Sequence, residues 1–163
     1  MRTEKKYGLL TEKQLKVLAL RALGLTLREV ARLLGVSHQD VAVAEKRALK
    51  NIRLAKLSII AYKIATSPVR VVAKEGMKHV EVASAVFESA DRAGIKVQLD
   101  VGSLLRLVWR RARECIEGIR VKKPVLILVD EHGEVEVYPY HEVQHILEKV
   151  EEVLRSACGR KQA

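Results

Sequence analysis

Four sets of residues have types and spacings that can do chemistry. The first is Ser37, His38, Gln39, Ala42, Val43 and Lys46. Glutamine can bond adenine in a bidentate way, histidine can donate to a guanine acceptor, and alanine or valine can touch a thymine methyl. Thr26, Arg28, Ser37, Arg47, Lys50 and Arg53 can bind phosphate oxygens around them. The second set, Asp100, Gly102 and Ser103, sits where a strand is expected to hand over to a helix. Amides there can hold a small-molecule or anionic effector, or Asp100 can simply cap the helix. The third set, Arg106, Arg110 and Arg113, is a stripe at helical spacing, read as opposite Trp109 and Ala112. It is either a solvated face or a contact to a DNA flank or partner.

The fourth set, His141-Glu142-Val143-Gln144-His145, matches the zinc-peptidase pattern HExxH. Catalytic zinc needs a third protein ligand and an open coordination position. The residues after His145 continue the same helix into a basic tail, and Glu148, Glu151 and Glu152 lie too close to fold back. The expectation is a solvated amphipathic helix with Val143, Ile146, Leu147 and Val150 inward. No metal, no cofactor and no catalytic residue is expected.

The elements that must position the first set can be read from capping residues and periodicity. Thr11 caps a helix, with Gln14 as its reciprocal partner and Leu15, Leu18, Ala19 and Ala22 as its apolar face. Gly24 stops it. Thr26 caps a short second helix, with Glu29 three residues on, burying Leu27, Val30, Ala31 and Leu34. Gly35 turns the chain, and Ser37 caps a third helix that buries Val41, Ala44, Ala48 and Ile52. Three helices joined by glycine turns form a helix-turn-helix, whose third helix can enter the major groove. From Lys50 the pattern runs on to about Ala65, apolar on more than one side through Leu54, Leu57, Ile59, Ile60 and Ile64, so that it needs two covering surfaces. Thr66-Ser67-Pro68 ends it.

This segment resembles the promoter-reading C-terminal domain of bacterial sigma factors in Thr26 to Ser37 and Glu45 to Lys50. It also resembles the archaeal Tfx family of transcriptional regulators, through Leu10 to Gln14, Leu34-Gly35, Ser37 and Glu45 to Leu49. The resemblance implies double-stranded DNA as partner and places base contacts at the same positions near the start of the third helix.

Charge agrees with that expectation. Residues 1–67 carry fourteen Lys+Arg against five Asp+Glu, and residues 68–163 carry sixteen against fifteen. Nearly all of the net +10 therefore lies in the first part of the chain, where it attracts phosphate polyanions. No apolar run is long enough to span a bilayer, and no signal-peptide pattern opens the chain. A cytoplasmic protein with no membrane partner is expected. Cys115 and Cys158 match no metal or redox spacing.

The remainder reads as a strand at 69–73, a helix at 80–93, a strand at 95–99 and a helix at 102–117 burying Leu105, Val108, Trp109 and Ala112. A strand at 124–129, a hairpin turn at Asp130 to Gly133, an edge strand at 134–138 and a last helix from Tyr140 complete it. The expected class is α+β: an all-α helix-turn-helix domain over 1–66 and a small mixed α/β domain over 67–163 for dimerisation or effector sensing. The expected function is sequence-specific regulation of transcription, without enzymatic activity, by a homodimer. The alternative is a metal-dependent or other enzyme module with a helix-turn-helix appendage.

Overall fold

The computed structural model describes residues 6–161, and the chain divides into two compact units between Ile60 and Ala61. No helix among the described residues is long and apolar enough to cross a membrane.

The first unit opens with a two-residue ladder, β1 (Lys6–Tyr7) against β2 (Leu10–Thr11). The all-α expectation lacked this piece. Three helices follow: α1 (Glu12–Ala22), α2 (Leu27–Leu34) and α3 (His38–Thr66), the last of which runs on past Ile60 into the second unit. Both expected capping boxes are present, Thr11 with Gln14 and Thr26 with Glu29. Their reciprocal bonds satisfy amide donors that a helix start otherwise leaves open. Val17, Val30, Ala31, Val41 and Ala44 make the core, flanked by Leu20, Leu25, Leu27, Leu34 and Val36. The buried faces of α2 and α3 follow the expectation.

The face of α1 does not. Gln14 and Val17 are buried, while Leu15 is 39% exposed and Ala19 and Ala22 face solvent. The expected stripe is the more apolar of the two, yet the buried one runs through Gln14 and Val17, with Leu20 packed beside them. Gln14 Oε1 accepts from the Thr11 amide at 3.0 Å, which holds Gln14 at the core edge and turns Val17 inward.

The second unit carries β3 (Val69–Ala73), α4 (His79–Arg92), α5 (Val101–Arg111) and a 3-10 turn at Arg113–Cys115. A small hairpin of β4 (Ile116–Glu117) and β5 (Arg120–Val121) comes next. Then come β6 (Val125–Val129), β7 (Val135–Pro139) and α6 (Tyr140–Lys161). The main sheet has the order β3-β6-β7 and both pairings are antiparallel, with Ile127 opposite Val71 and Val137. Every β6 residue is buried, as a central strand covered on both faces requires.

Three expectations need correction here. Residues 95–99 form no strand: Ile95, Val97 and Leu99 pack on the core, but the segment's backbone reaches the hairpin turn through Gln98 N donating to Gly133 O at 2.9 Å. Alternating apolar residues mark a half-buried extended segment, and only ladder bonds make it a strand. Without that strand the main sheet keeps only its two antiparallel pairings. The helix expected to reach Glu117 stops at Arg111, because Ala112 adopts φ −126° and ψ 39°. The buried stripe of α5 is Leu104, Val108 and Ala112, and Trp109 is 48% exposed.

Gly133 shows how tightly the hairpin turn fits. Its φ is +82°, and a Cβ there would lie 2.0 Å from the carbonyl oxygen of Lys96. Cys115 is buried, Cys158 is exposed, and both thiols are free.

Candidate nucleic-acid interface

The start of α3 is set by what precedes it. Gly35 takes φ +64° at the end of α2, a left-handed conformation that glycine adopts at little cost. Two residues later the Ser37 hydroxyl accepts from the Asp40 amide at 3.0 Å. Hydrogen bonding to Ser37 holds the Asp40 carboxyl below the usual carboxylate range, with the Lys13 ammonium adding to the effect. Glu29 also lies below its ordinary value, first through the Thr26 amide and then through the Thr26 hydroxyl.

On this frame His38, Gln39, Val43 and Lys46 are exposed and Ala42 is half-buried, while Val41, Ala44 and Ala48 point into the protein. The small Ala42 and Val43 keep the leading turns of α3 slim. Arg28, Arg47, Lys50 and Arg53 are exposed, and among the described residues none of them, nor Lys46, has an ion-pair partner. Ser37 is exposed as well. The Thr26 hydroxyl is engaged, donating to Glu29 Oε2 at 2.8 Å.

Two braces were not legible in the sequence. Arg21 Nε donates to Glu45 Oε1 at 2.8 Å, and another nitrogen of the same guanidinium donates to the carbonyl oxygen of Leu25 at 2.6 Å. The end of α1, the turn after it and the body of α3 are thus tied by one side chain. Asn51 Nδ2 donates to the carbonyl oxygen of Leu9 at 2.9 Å, tying α3 to the opening ladder. Opposite charges far apart in sequence become a pair only once the helix crossing is known.

The other sequence sets lie in the second unit. Asp100 is the cap of α5, its carboxylate accepting from the Ser103 amide at 2.7 Å, which lowers its pKa. Gly102 and Ser103 line an open cavity together with the arginine stripe. The HExxH residues do not gather as such. His141 Nε2 lies 3.6 Å from Glu114 Oε1, and Glu114, Cys115 and His141 each place a donor atom within 4.8 Å of the others. His145 stands outside that group, the only one of its kind among the described residues.

A capped, exposed helix start propped by two shorter helices defines a helix-turn-helix DNA-binding protein. Comparison with known proteins agrees: residues 8–54 match the family described as Sigma-70, region 4, and residues 55–137 match DNA_binding protein, TFX, C-term. A protein of Methanocaldococcus jannaschii named for a transcriptional regulatory role is 39% identical over 128 residues, covering 78% of this chain and 93% of that one. A similarly named protein of Pyrococcus horikoshii is 34% identical over 128 residues, covering 78% and 88%. The DNA-binding protein Tfx of Methanothermobacter marburgensis is 31% identical over 126 residues, covering 77% and 91%. The chain belongs to the Tfx family of DNA-binding transcriptional regulators.

Proposed function

We propose that the chain regulates transcription by reading a duplex sequence with the first turns of α3 in the major groove. His38, Gln39, Ala42, Val43 and Lys46 face the bases. Arg28, Ser37, Arg47, Lys50 and Arg53 hold phosphates, with Thr26 at the edge of the contact. The observation that carries this reading is the exposed leading turn of α3, with Lys46 in no ion pair among the described residues and the helix body fixed by Arg21 and Glu45. In this reading 1–66 bind DNA and 67–163 dimerise or sense an effector, in the cytoplasm and without enzymatic activity. Dimerisation is supported by Leu54, Leu57 and Ile59, three exposed apolar residues of α3. An effector site is supported by Gly102 and Ser103, fixed by the Asp100 cap at the wall of the cavity.

The test is duplex binding across a salt series. Each phosphate neutralised by a Lys or Arg contributes a slope of about −0.9 in log K against log salt, so Arg28, Arg47, Lys50 and Arg53 give roughly −4 per bound subunit. A slope near zero contradicts the reading. Light scattering across a concentration series that shows only a monomer, with and without DNA, removes the dimer.

A further inference from the structure

The sequence placed Trp109 opposite the arginine stripe, and the fold places it within that stripe. Arg106, Trp109, Arg110 and Arg113 fall at i, i+3, i+4 and i+7 along α5 and the turn that follows, and all four line the same open cavity of about 1640 Å³. Val82, Ile119, Val121 and Val135 supply apolar wall around them, and Arg120 adds a fourth guanidinium. Glu134 is the one acidic side chain in the lining among the described residues. Arg106 donates to the Ser103 hydroxyl at 2.9 Å and Arg120 to the carbonyl oxygen of Gly76 at 2.9 Å. Arg110 and Arg113 have no hydrogen-bond or ion-pair partner among the described residues.

Such a lining combines an apolar floor with a few convergent cations, the usual make-up of a small-ligand site. Guanidinium groups match carboxylate, sulfonate or phosphate oxygens in a bidentate way, and an indole face takes a flat apolar ring. We propose that this cavity binds an organic anion, its apolar body against Trp109 and its acidic group on Arg110 and Arg113. The proposal rests on the reading of the second unit as an effector sensor. A second copy is the poorer occupant, because a two-fold contact through this face sets arginines against arginines. Bare phosphates of a DNA flank leave the apolar wall unused.

The single tryptophan makes the test direct. The full chain is titrated with the aromatic sulfonate 8-anilino-1-naphthalenesulfonate, following both Trp109 emission and the probe's own fluorescence. N-phenyl-1-naphthylamine serves as the uncharged counterpart. The expected result is saturable one-to-one quenching by the sulfonate, with the neutral compound weaker by roughly tenfold. An Arg110→Gln/Arg113→Gln chain with unchanged thermal midpoint is expected to lose roughly tenfold affinity for the sulfonate alone. Equal affinity for both compounds overturns the proposal, as does full sulfonate affinity in the double variant. Quenching that vanishes as chain concentration rises assigns the face to a second copy, and competition by unrelated duplex assigns it to DNA. Either outcome also overturns the proposal. Duplex affinity measured with and without saturating sulfonate keeps the two failures apart: saturable binding that leaves duplex affinity unchanged contradicts the sensor reading and supports the cavity assignment.

Discussion

Arg21 and Glu45 meet at 2.8 Å, and the same guanidinium reaches the Leu25 carbonyl at 2.6 Å. One side chain therefore fixes the angle between α1 and α3. An Arg21→Ala chain is expected to lose about 1 kcal/mol of stability, a modest figure because the pair is partly solvated. DNA affinity should fall more than stability, since α3 would point less uniformly. Arg21→Lys should not restore it, because an ammonium cannot serve both acceptors in the fork geometry. Chemical denaturation and duplex titration on the same samples check both points.

Phosphate and base contacts should separate by mutation. Lys50→Ala and Arg53→Ala are expected to weaken binding to any duplex uniformly, each reducing the salt slope by about one. Their selectivity between sites should not change. A variant of either residue that altered site preference would move it to the base-contacting set.

Gly133 should not tolerate a side chain. Its φ of +82° and the 2.0 Å clash of a Cβ with the Lys96 carbonyl oxygen act together. Gly133→Ala is expected to cost more than about 2 kcal/mol, the left-handed strain alone accounting for roughly 1–2 of it. Thermal unfolding of the full chain measures this, and a shift within error of zero contradicts it.

The capping carboxylates set a pH dependence. Glu29, Asp40 and Asp100 all have pKa values lowered on folding, each by hydrogen bonds at a helix start. A lowered folded pKa means stability that is complete above the unfolded value and is lost as pH falls through the folded one. The loss should begin near the ordinary values of 4.5 for Glu29 and 3.8 for the two aspartates and deepen below them. Replacing Asp100 by Asn should keep the cap and remove its share of the pH dependence. Denaturant midpoints measured from about pH 3 to about pH 6 test this.

The capping residues explain why so much of the first unit was legible. Thr11, Thr26, Ser37 and the glycines at 24 and 35 declare helix boundaries by local chemistry alone, and the structure places them there. Where local chemistry was degenerate, reading failed. The buried stripe of α1 carries the polar Gln14, so apolar periodicity pointed to the other face even though the Thr11–Gln14 cap was itself legible. Trp109 was read as core from its spacing with Leu105, Val108 and Ala112, yet the buried face of α5 runs through Leu104, Val108 and Ala112 instead. Residues 95–99 alternate like a strand, but strand identity depends on a neighbour's ladder, which no single segment carries. The Arg21–Glu45 brace depends on helix crossing and has no local signal at all.

The most direct test is binding of the wild-type chain and Gln39→Ala to a selected site and to every single-base-pair variant of it. The account predicts that the wild type loses about 1–3 kcal/mol when one adenine-thymine pair per half-site is changed, and that Gln39→Ala loses that preference while keeping the rest. Equal discrimination by both chains at every position would contradict the placement of α3 in the groove.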